Sequence, residues 1–145
     1  MRIDRKGVID LPVKLMVVAL IVCISIPLFV NAMERGESNN VTMSMNSEID
    51  KIFNTAAAVH YSGIGSSRTL TIAIPDGCEI SIPGGSGSDS YTVKMTFKGR
   101  ETGVRYMDSP PVRFVTGGLT ITNSALLLIT SDIIDGDPVV RVSVV

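Results

Sequence analysis

The chain has 145 residues, and its 13 basic and 14 acidic side chains nearly balance. This balance gives no general electrostatic attraction to nucleic acid, and a chain without Trp and with few Tyr and Phe has little material for a base-stacking surface. The part that follows residue 65 is long enough for one small β-domain and too short for a second. The composition therefore predicts one domain with no nucleic-acid partner.

An almost unbroken apolar run follows a basic N-terminal stretch. Between Leu15 and Val30 the only polar side chain is Ser25, so no polar face exists along which a surface helix could lie. A helix over residues 11–32 would be about 33 Å long, close to the ~30 Å hydrocarbon thickness of a membrane. The run therefore predicts a helix that is covered by lipid or by a bundle of similar helices.

Two charged residues and a proline lie at the start of this run. Asp10 and Lys14 are four residues apart with the acid first, which is the order in which a helical pair neutralises itself. Pro12 lies between them, and a proline breaks no helix hydrogen bond only when it lies in the first turn. Cleavage of the chain after Gly7 would place Pro12 in that turn.

The segment Arg5-Lys6-Gly7, followed by Val8 and the apolar helix, resembles the class III leader of type IV pilins, especially of archaeal pilin and archaellum-related proteins. The resemblance covers residues 1 to about 65. Bacterial members usually carry Phe at the first mature position and Glu at the fifth, where this chain has Val8 and Pro12, so the archaeal members are the better match. We infer that Asp10 supplies the carboxylate instead.

The resemblance implies a leader over residues 1–7, which a prepilin peptidase removes, and a long helix over residues 8–62. Residues 8–32 would be the membrane or filament-core half of this helix, residues 43–62 its amphipathic half, and residues 66–145 an extracellular β-domain. The implied function is that of a structural subunit of an extracellular filament at the cell surface, a helical homopolymer whose precursor is inserted in the membrane.

Three residues of the helix would then matter for assembly. A subunit that leaves lipid for a helical bundle must keep Asp10 neutralised, either by Lys14 or by the new α-amino group of Val8 on a neighbouring subunit. Pro27 removes one helix hydrogen bond and should kink or loosen the helix near its outer end.

Two other interpretations of the N-terminus remain open. The basic start, the apolar centre and Val30-Asn31-Ala32 also fit a secretory signal peptide cut after Ala32. The run could equally be an uncleaved anchor, with Arg2, Arg5 and Lys6 held in the cytoplasm. Both alternatives export the C-terminal part, and the anchor would make the protein a membrane-bound binding or stator module that does not polymerise.

The middle of the chain returns to helical periodicity after a polar stretch. Residues 31–42 include Gly36 and either interrupt the helix or weaken one turn, and Asn40 begins a possible N-glycosylation site. From Met43 to Tyr61 the apolar positions recur at spacings of three and four, which predicts an amphipathic helix that ends at Gly63. The members of the predicted stripe are Met45, Ile49, Ile52, Phe53, Ala56, Ala57 and His60, with Asn46, Glu48, Asp50, Lys51 and Asn54 outside it.

From Ser66 onward the period changes from 3.6 to 2, with turn residues between short alternating runs. Residues 70–74 and 78–82 are predicted to pair as a hairpin across Pro75-Asp76-Gly77. Residues 125–129 are apolar at consecutive positions, which predicts a strand covered on both faces. The whole pattern predicts an α+β protein, a long helix followed by an antiparallel β-sandwich or strongly curved sheet of seven or eight short strands.

The sequence offers little chemistry. The lone His60 has no second ligand at metal spacing, and the acidic loop at Asp132, Asp135 and Asp137 does not have the spacing of a known calcium loop. We therefore predict no catalytic, cofactor or metal site, and no enzyme activity. Cys23 and Cys78 are expected to be small buried apolar side chains. The basic residues Lys94, Lys98, Arg100, Arg105 and Arg113 are expected to form a solvated face or a contact for the acidic loop of a neighbouring subunit.

Overall fold

The computed structural model describes residues 5–85 and 87–145, with side chains described from Leu11 onward. One α-helix, eight strands and a short 3-10 helix lie in these ranges. Their bounds are α1 Arg5–Ser62, β1 Ser67–Ile72, β2 Cys78–Ile82, the 3-10 helix Ser88–Tyr91, β3 Thr92–Phe97, β4 Arg100–Tyr106, β5 Arg113–Val115, β6 Leu119–Ile121, β7 Ala125–Ile134 and β8 Asp137–Val144. The predicted α+β class, a long N-terminal helix followed by a small, mostly antiparallel β-domain, is confirmed.

The chain divides into two compact units, Met1–Asn40 and Val41–Val145. The backbone is helical at every residue of the polar stretch 31–42, so the helix runs on through Gly36 rather than being interrupted there. In the first unit every described side chain from Leu11 to Glu37 is exposed. In the second unit the C-terminal part of α1 and the two sheets share one hydrophobic core.

The strands form two four-stranded sheets, ordered β1-β7-β8-β5 and β4-β3-β2-β6. All neighbours are antiparallel except β5 and β8, which are parallel. The predicted hairpin between β1 and β2 is wrong, because β1 pairs with β7 whereas β2 pairs with β3 and β6. Pro75-Asp76-Gly77 therefore carries the chain from one sheet to the other, since alternation and turn residues define strands and a turn but not their partners.

Two tight hairpins connect strands within the sheets. Lys98 and Gly99 join β3 to β4, and Asp135 and Gly136 join β7 to β8, all four with positive φ between 49° and 89°. Two consecutive residues of positive φ are the signature of a type I′ turn, whose twist matches that of the flanking strands. The acidic segment is consequently only a two-residue turn, and Asp132 lies within β7 rather than in a loop.

The buried stripe of α1 follows the predicted spacing. Its fully buried members are Met45, Ile49, Ile52, Ala56 and Val59, while Phe53 and Ala57 are partly buried beside them. Burial of each large apolar side chain stabilises the fold by roughly 1.5–3 kcal/mol. This stripe makes residues 45–59 an integral part of the β-domain core.

Strand β7 does not have two covered faces, so that prediction is wrong. Leu127 and Ile129 are fully buried, whereas Leu126 is 41% exposed and Leu128 is partly exposed. The strand therefore alternates like an ordinary strand with one face toward the core, even though its sequence is apolar at consecutive positions.

Glu48 was expected on the polar side of α1 but is only 7% exposed. One carboxylate oxygen accepts a hydrogen bond from the Ala73 backbone N–H at 3.1 Å, and the other accepts one from Lys51 Nζ at 2.6 Å. Ala73 directly follows β1, where ladder pairing with β7 has ended. The helix thus satisfies a backbone donor that the sheet leaves without a partner, which compensates the cost of burying the carboxylate.

We expect Glu48→Ala to lower the free energy of unfolding by about 1–3 kcal/mol, because the substitution removes both the hydrogen bond from the Ala73 N–H and the ion pair with Lys51. Glu48→Gln keeps a carbonyl oxygen at the same place and should lose less. Denaturant unfolding of the full chain in non-ionic detergent measures both, with Glu101→Ala on exposed β4 as the matched control. Equal stability of the alanine variant and the wild type would contradict the role assigned to this carboxylate.

Candidate functional site

The most distinctive surface of the described chain is the apolar segment, which we define as residues 11–33 of α1. Its large apolar side chains are 47–73% exposed around the whole circumference of the helix. They are Leu11, Val13, Leu15, Met16, Val17, Val18, Leu20, Ile21, Val22, Ile24, Ile26, Leu28, Phe29, Val30 and Met33. Among the described residues, α1 is the one helix whose length and composition suit a membrane span, although a signal sequence would meet the same criteria.

The apolar segment contains few polar groups, and the Ser25 hydroxyl is hydrogen-bonded within the helix. The Ser25 hydroxyl donates to the Ile21 carbonyl at 2.7 Å, so it presents no unsatisfied donor to an apolar environment. Pro27 lies inside the helix and has no N–H to donate to the preceding turn. Cys23 is exposed on α1, contrary to the expectation of burial, whereas Cys78 is buried in the β-domain as predicted; both are free thiols.

The predicted processing site lies outside the part of the structure in which side chains are described. Arg5, Lys6, Gly7 and Val8 belong to α1 by their backbone, as does the predicted assembly residue Asp10, but their side chains are not among those described. Lys14 and Pro27, the other two predicted assembly residues, are exposed on α1. These roles stay predictions.

Asn40, the possible glycosylation site, is an exposed residue of α1 at the end of the first unit. Thr42, the third residue of the motif, is half-buried. Glycosylation of Asn40 stays a prediction.

Arg105 does not lie on a solvated face. Its guanidinium donates to Asp50 Oδ1 at 2.8 Å and to Asn46 Oδ1 at 3.2 Å, and it lies 5.7 Å from the centroid of the Phe53 ring. Arg105 pairs with the fully buried Val93 across β4 and β3, which places both side chains on the inner face of the sheet. Arg105 therefore fastens the C-terminal part of α1 to this sheet.

The remaining basic residues are also less free than the sequence suggests. Lys94 Nζ lies 3.8 Å from Asp89 Oδ2, and Lys98 lies over the Phe97 ring at 4.8 Å. Arg113 Nε is buried, with no hydrogen-bond partner among the described residues. Lys98 and Arg100 of the predicted basic face are exposed, as expected, whereas Lys94, Arg105 and Arg113 are partly buried.

The acidic end of β7 and β8 is organised by an ion pair. Asp132 accepts a hydrogen bond from Arg141 at 3.0 Å and one from the Ile133 backbone N–H at 2.8 Å. The backbone bond first and the guanidinium second hold the pKa of Asp132 below its usual value. Its contribution to stability is therefore present above the unfolded-state pKa and is lost as the pH falls through the lowered one. Within the described residues, no group of three His, Cys, Asp or Glu side chains could hold a metal ion.

His60, the single histidine, lies near the C-terminal end of α1 with its ring 5.7 Å from that of Tyr61 in an edge contact. Its Nδ1 atom is buried and has no hydrogen-bond partner among the described residues. The imidazole therefore lies in the last turn of α1 and packs against the ring of Tyr61.

A shallow cleft beside the 3-10 helix was not predicted. Its lining residues are Ser88, Tyr91, Tyr106, Met107, Asp108 and Pro111. In the sequence Tyr91 and Tyr106 look like ordinary members of alternating strands, because the period-2 pattern does not show which strand ends meet. The one available signal is that two of the chain's three tyrosines lie next to strand ends, Tyr91 just before β3 and Tyr106 at the end of β4.

Comparison with known proteins adds no family to this description: no family model, curated protein or solved structure matches the chain.

Proposed function

We propose that this chain is a pilin-like structural subunit of an extracellular type IV-type filament. In this proposal the precursor is inserted in the membrane, a prepilin peptidase cuts it after Gly7, and the mature subunits assemble through the apolar segment into a helical homopolymer at the cell surface. The observation that carries the proposal is the exposure of the apolar segment on all sides, from Leu11 to Met33.

The exposed apolar area needs a cover that surrounds the helix. Burial of a large apolar side chain is worth roughly 1.5–3 kcal/mol, so leaving fifteen of them in water would cost more than the whole stability of a typical domain. A helix that docks on one partner needs only one apolar stripe. Lipid surrounds a helix on all sides, and so does a bundle of identical helices, which supports a subunit that passes from one environment to the other.

The β-domain supports the same proposal because its core is closed without the apolar segment. Residues 45–59 of α1 fill that core, and Glu48 and Arg105 add polar contacts between helix and sheets. A polymer held together by its helices would therefore carry one folded domain per subunit. Among the described residues, every member of the core cluster lies between Val41 and Val142 of the same chain.

The alternative is a single-pass membrane-anchored β-sandwich that binds a ligand or acts as a stator without polymerising. The exposed apolar segment suits this anchor equally well before assembly. The two functions differ at the N-terminus, because only the filament subunit needs cleavage after Gly7. They also differ in whether the protein leaves the membrane.

We expect Gly7→Val to abolish processing, because the peptidase proposed here reads the glycine that precedes the cut. The variant should accumulate at full length in the membrane fraction and be absent from sheared extracellular material. Terminal-peptide mass spectrometry should show Val8 as the first residue of the wild-type protein and an intact leader in the variant.

Gly36→Val is the matched control, since Gly36 lies in the same helix with no atom near its missing side chain. This control should be cut normally. A wild-type N-terminus at Met33 would indicate a secreted domain instead, and an intact leader on both proteins would indicate the anchor. Wild-type protein that is cut after Gly7 but never found in the sheared fraction would contradict polymerisation.

A further inference from the structure

The cleft beside the 3-10 helix has a volume of about 380 Å³ and lies within the second unit. Tyr106 is 56% exposed and Tyr91 is half-buried, so the cleft presents aromatic surface to solvent. Met107, at 4% exposure, is the most buried of the lining residues, whereas Asp108 and Pro111 are exposed to solvent. An exposed aromatic pair with a carboxylate beside it is a surface suited to a ligand.

Hydrogen bonds fix the walls of this cleft. The Met107 N–H donates to the Tyr91 carbonyl at 2.9 Å and so ties the end of β4 to the 3-10 helix. Within the 3-10 helix, the buried Ser90 hydroxyl donates to the Gly87 carbonyl at 2.6 Å. At its end the Thr92 hydroxyl donates to the Asp89 carbonyl at 2.8 Å. The two tyrosines are therefore held by backbone that is bonded on both sides, and a ligand would meet an organised surface.

The electrostatics of the cleft favour a cation. Among the described residues that line the cleft, Asp108 is the one with a charged side chain, and the other polar ones, Ser88 and the two tyrosines, carry hydroxyl groups. The faces of the tyrosine rings carry the negative side of a quadrupole. Lys94 lies on the same sheet face as Tyr106 but does not line the cleft, and its ammonium is 3.8 Å from the Asp89 carboxylate.

We infer that this cleft binds a positively charged group, namely the guanidinium or ammonium of a basic peptide side chain. The cation would lie over a face of Tyr91 or Tyr106, with its charge balanced by Asp108. An anion would meet the carboxylate with no cation among the lining residues. The inference concerns the β-domain alone and is independent of polymerisation, since precursor and processed protein should bind equally.

Tyrosine fluorescence provides a direct test, because the chain has no Trp and only three Tyr. In a Tyr61→Phe background both remaining tyrosines line the cleft. The full chain in a non-ionic detergent is titrated with N-acetyl-argininamide, and with the matching citrulline amide as the neutral analogue. We expect a saturable change with the arginine probe and none with citrulline.

Asp108→Asn should weaken binding of the arginine probe roughly 5-fold, and Tyr106→Leu by at least as much, since each removes one of the two attractions. Asp76→Asn removes an exposed carboxylate outside the cleft and should leave the dissociation constant unchanged. Thermal unfolding of each variant in the same detergent establishes that the domain is still folded.

A flat response to the arginine probe overturns the inference, as does an equal response to citrulline. Binding that Asp108→Asn leaves unchanged also overturns it. A neutral oligosaccharide or a proline-rich peptide is titrated in parallel. If either gives a saturable change while the arginine probe does not, the cleft recognises that class of ligand rather than a cation.

Discussion

Leu127→Asp is expected to unfold the β-domain, whereas Leu126→Asp at the neighbouring position should leave it folded. Leu127 has no exposed surface, and its partner in β1 is Leu70, which packs against the same core. Removing a buried Leu side chain costs about 2–5 kcal/mol, and a buried carboxylate without a partner adds several more. This sum is comparable to the total stability of a small domain. Leu126 is 41% exposed on the opposite face, where a carboxylate stays hydrated.

Cys78 is a suitable reporter of this unfolding. Its side chain is 3% exposed, and burial first and the nearby Asp76 charge second raise the pKa of its thiol, so it is protected and protonated in the folded state. With Cys23→Ala as the background, Cys78 is the only thiol that can be labelled. Full-length protein in non-ionic detergent should be labelled quickly at neutral pH in the Leu127→Asp variant and slowly in the Leu126→Asp variant.

Equal protection of Cys78 in the two variants would contradict the assigned faces of β7. Fast labelling in both would restore the expectation that the strand is covered on both sides. A further control, Leu127→Met, keeps the volume of the side chain and should remain protected, with a cost below about 1.5 kcal/mol.

Helices, strands and turns could be predicted because each depends on the pattern of residues close together in the sequence. The 3.6-residue spacing of Met45, Ile49, Ile52 and Ala56 places them on one face of a helix, and all four are buried. Gly99, Asp135 and Gly136 are residue types that tolerate positive φ, and the pairs Lys98-Gly99 and Asp135-Gly136 both form tight hairpins. Each of these features depends on residues only a few positions apart.

Features that depend on distant residues could not be predicted in this way. The alternation in β1 and β2 is correct, but pairing of β1 with β7 joins residues nearly sixty positions apart. Arg105 shows the same limit, since alternation gives two sets of residues on β4 but does not say which set faces α1. Glu48 is buried where it accepts a hydrogen bond from the Ala73 N–H, and this contact between residues 25 positions apart exists only in the folded chain.

The same difference between local and distant residues separates the two candidate surfaces, the apolar segment and the cleft. The apolar segment is visible in sequence because its function rests on composition over consecutive residues, without any tertiary contact. The cleft brings together residues from positions 88 to 111, through the hydrogen bond between Met107 and Tyr91 and the pairing of Tyr106 with Thr92. No spacing rule for a motif connects them.

A second large effect on stability is expected from substitution of Gly84, which lies two residues after the end of β2. A Cβ atom on this residue would overlap the carbonyl oxygen and the carbonyl carbon of Thr116 and would lie 2.9 Å from its side-chain oxygen. Thr116 cannot easily yield, because its hydroxyl donates to the Ile82 carbonyl at 2.9 Å and accepts from the Gly118 N–H at 3.3 Å. The approach of these two backbone segments therefore requires glycine at position 84.

We expect Gly84→Ala to destabilise the β-domain by about 1–3 kcal/mol or more, since the backbone must move and the Thr116–Ile82 hydrogen bond is strained or lost. Gly117→Ala is the matched control: no atom lies within 4 Å of its missing Cβ, and its φ is not in the left-handed region. That substitution should be neutral or should stabilise the domain by up to about 1 kcal/mol, because alanine restricts the unfolded chain. Gly84→Ala should thus lower the urea midpoint of Cys78 labelling, whereas Gly117→Ala should leave the midpoint unchanged or raise it. Equal midpoints would mean that the two segments separate at little cost and that the contact between Gly84 and Thr116 does not hold β2 in place.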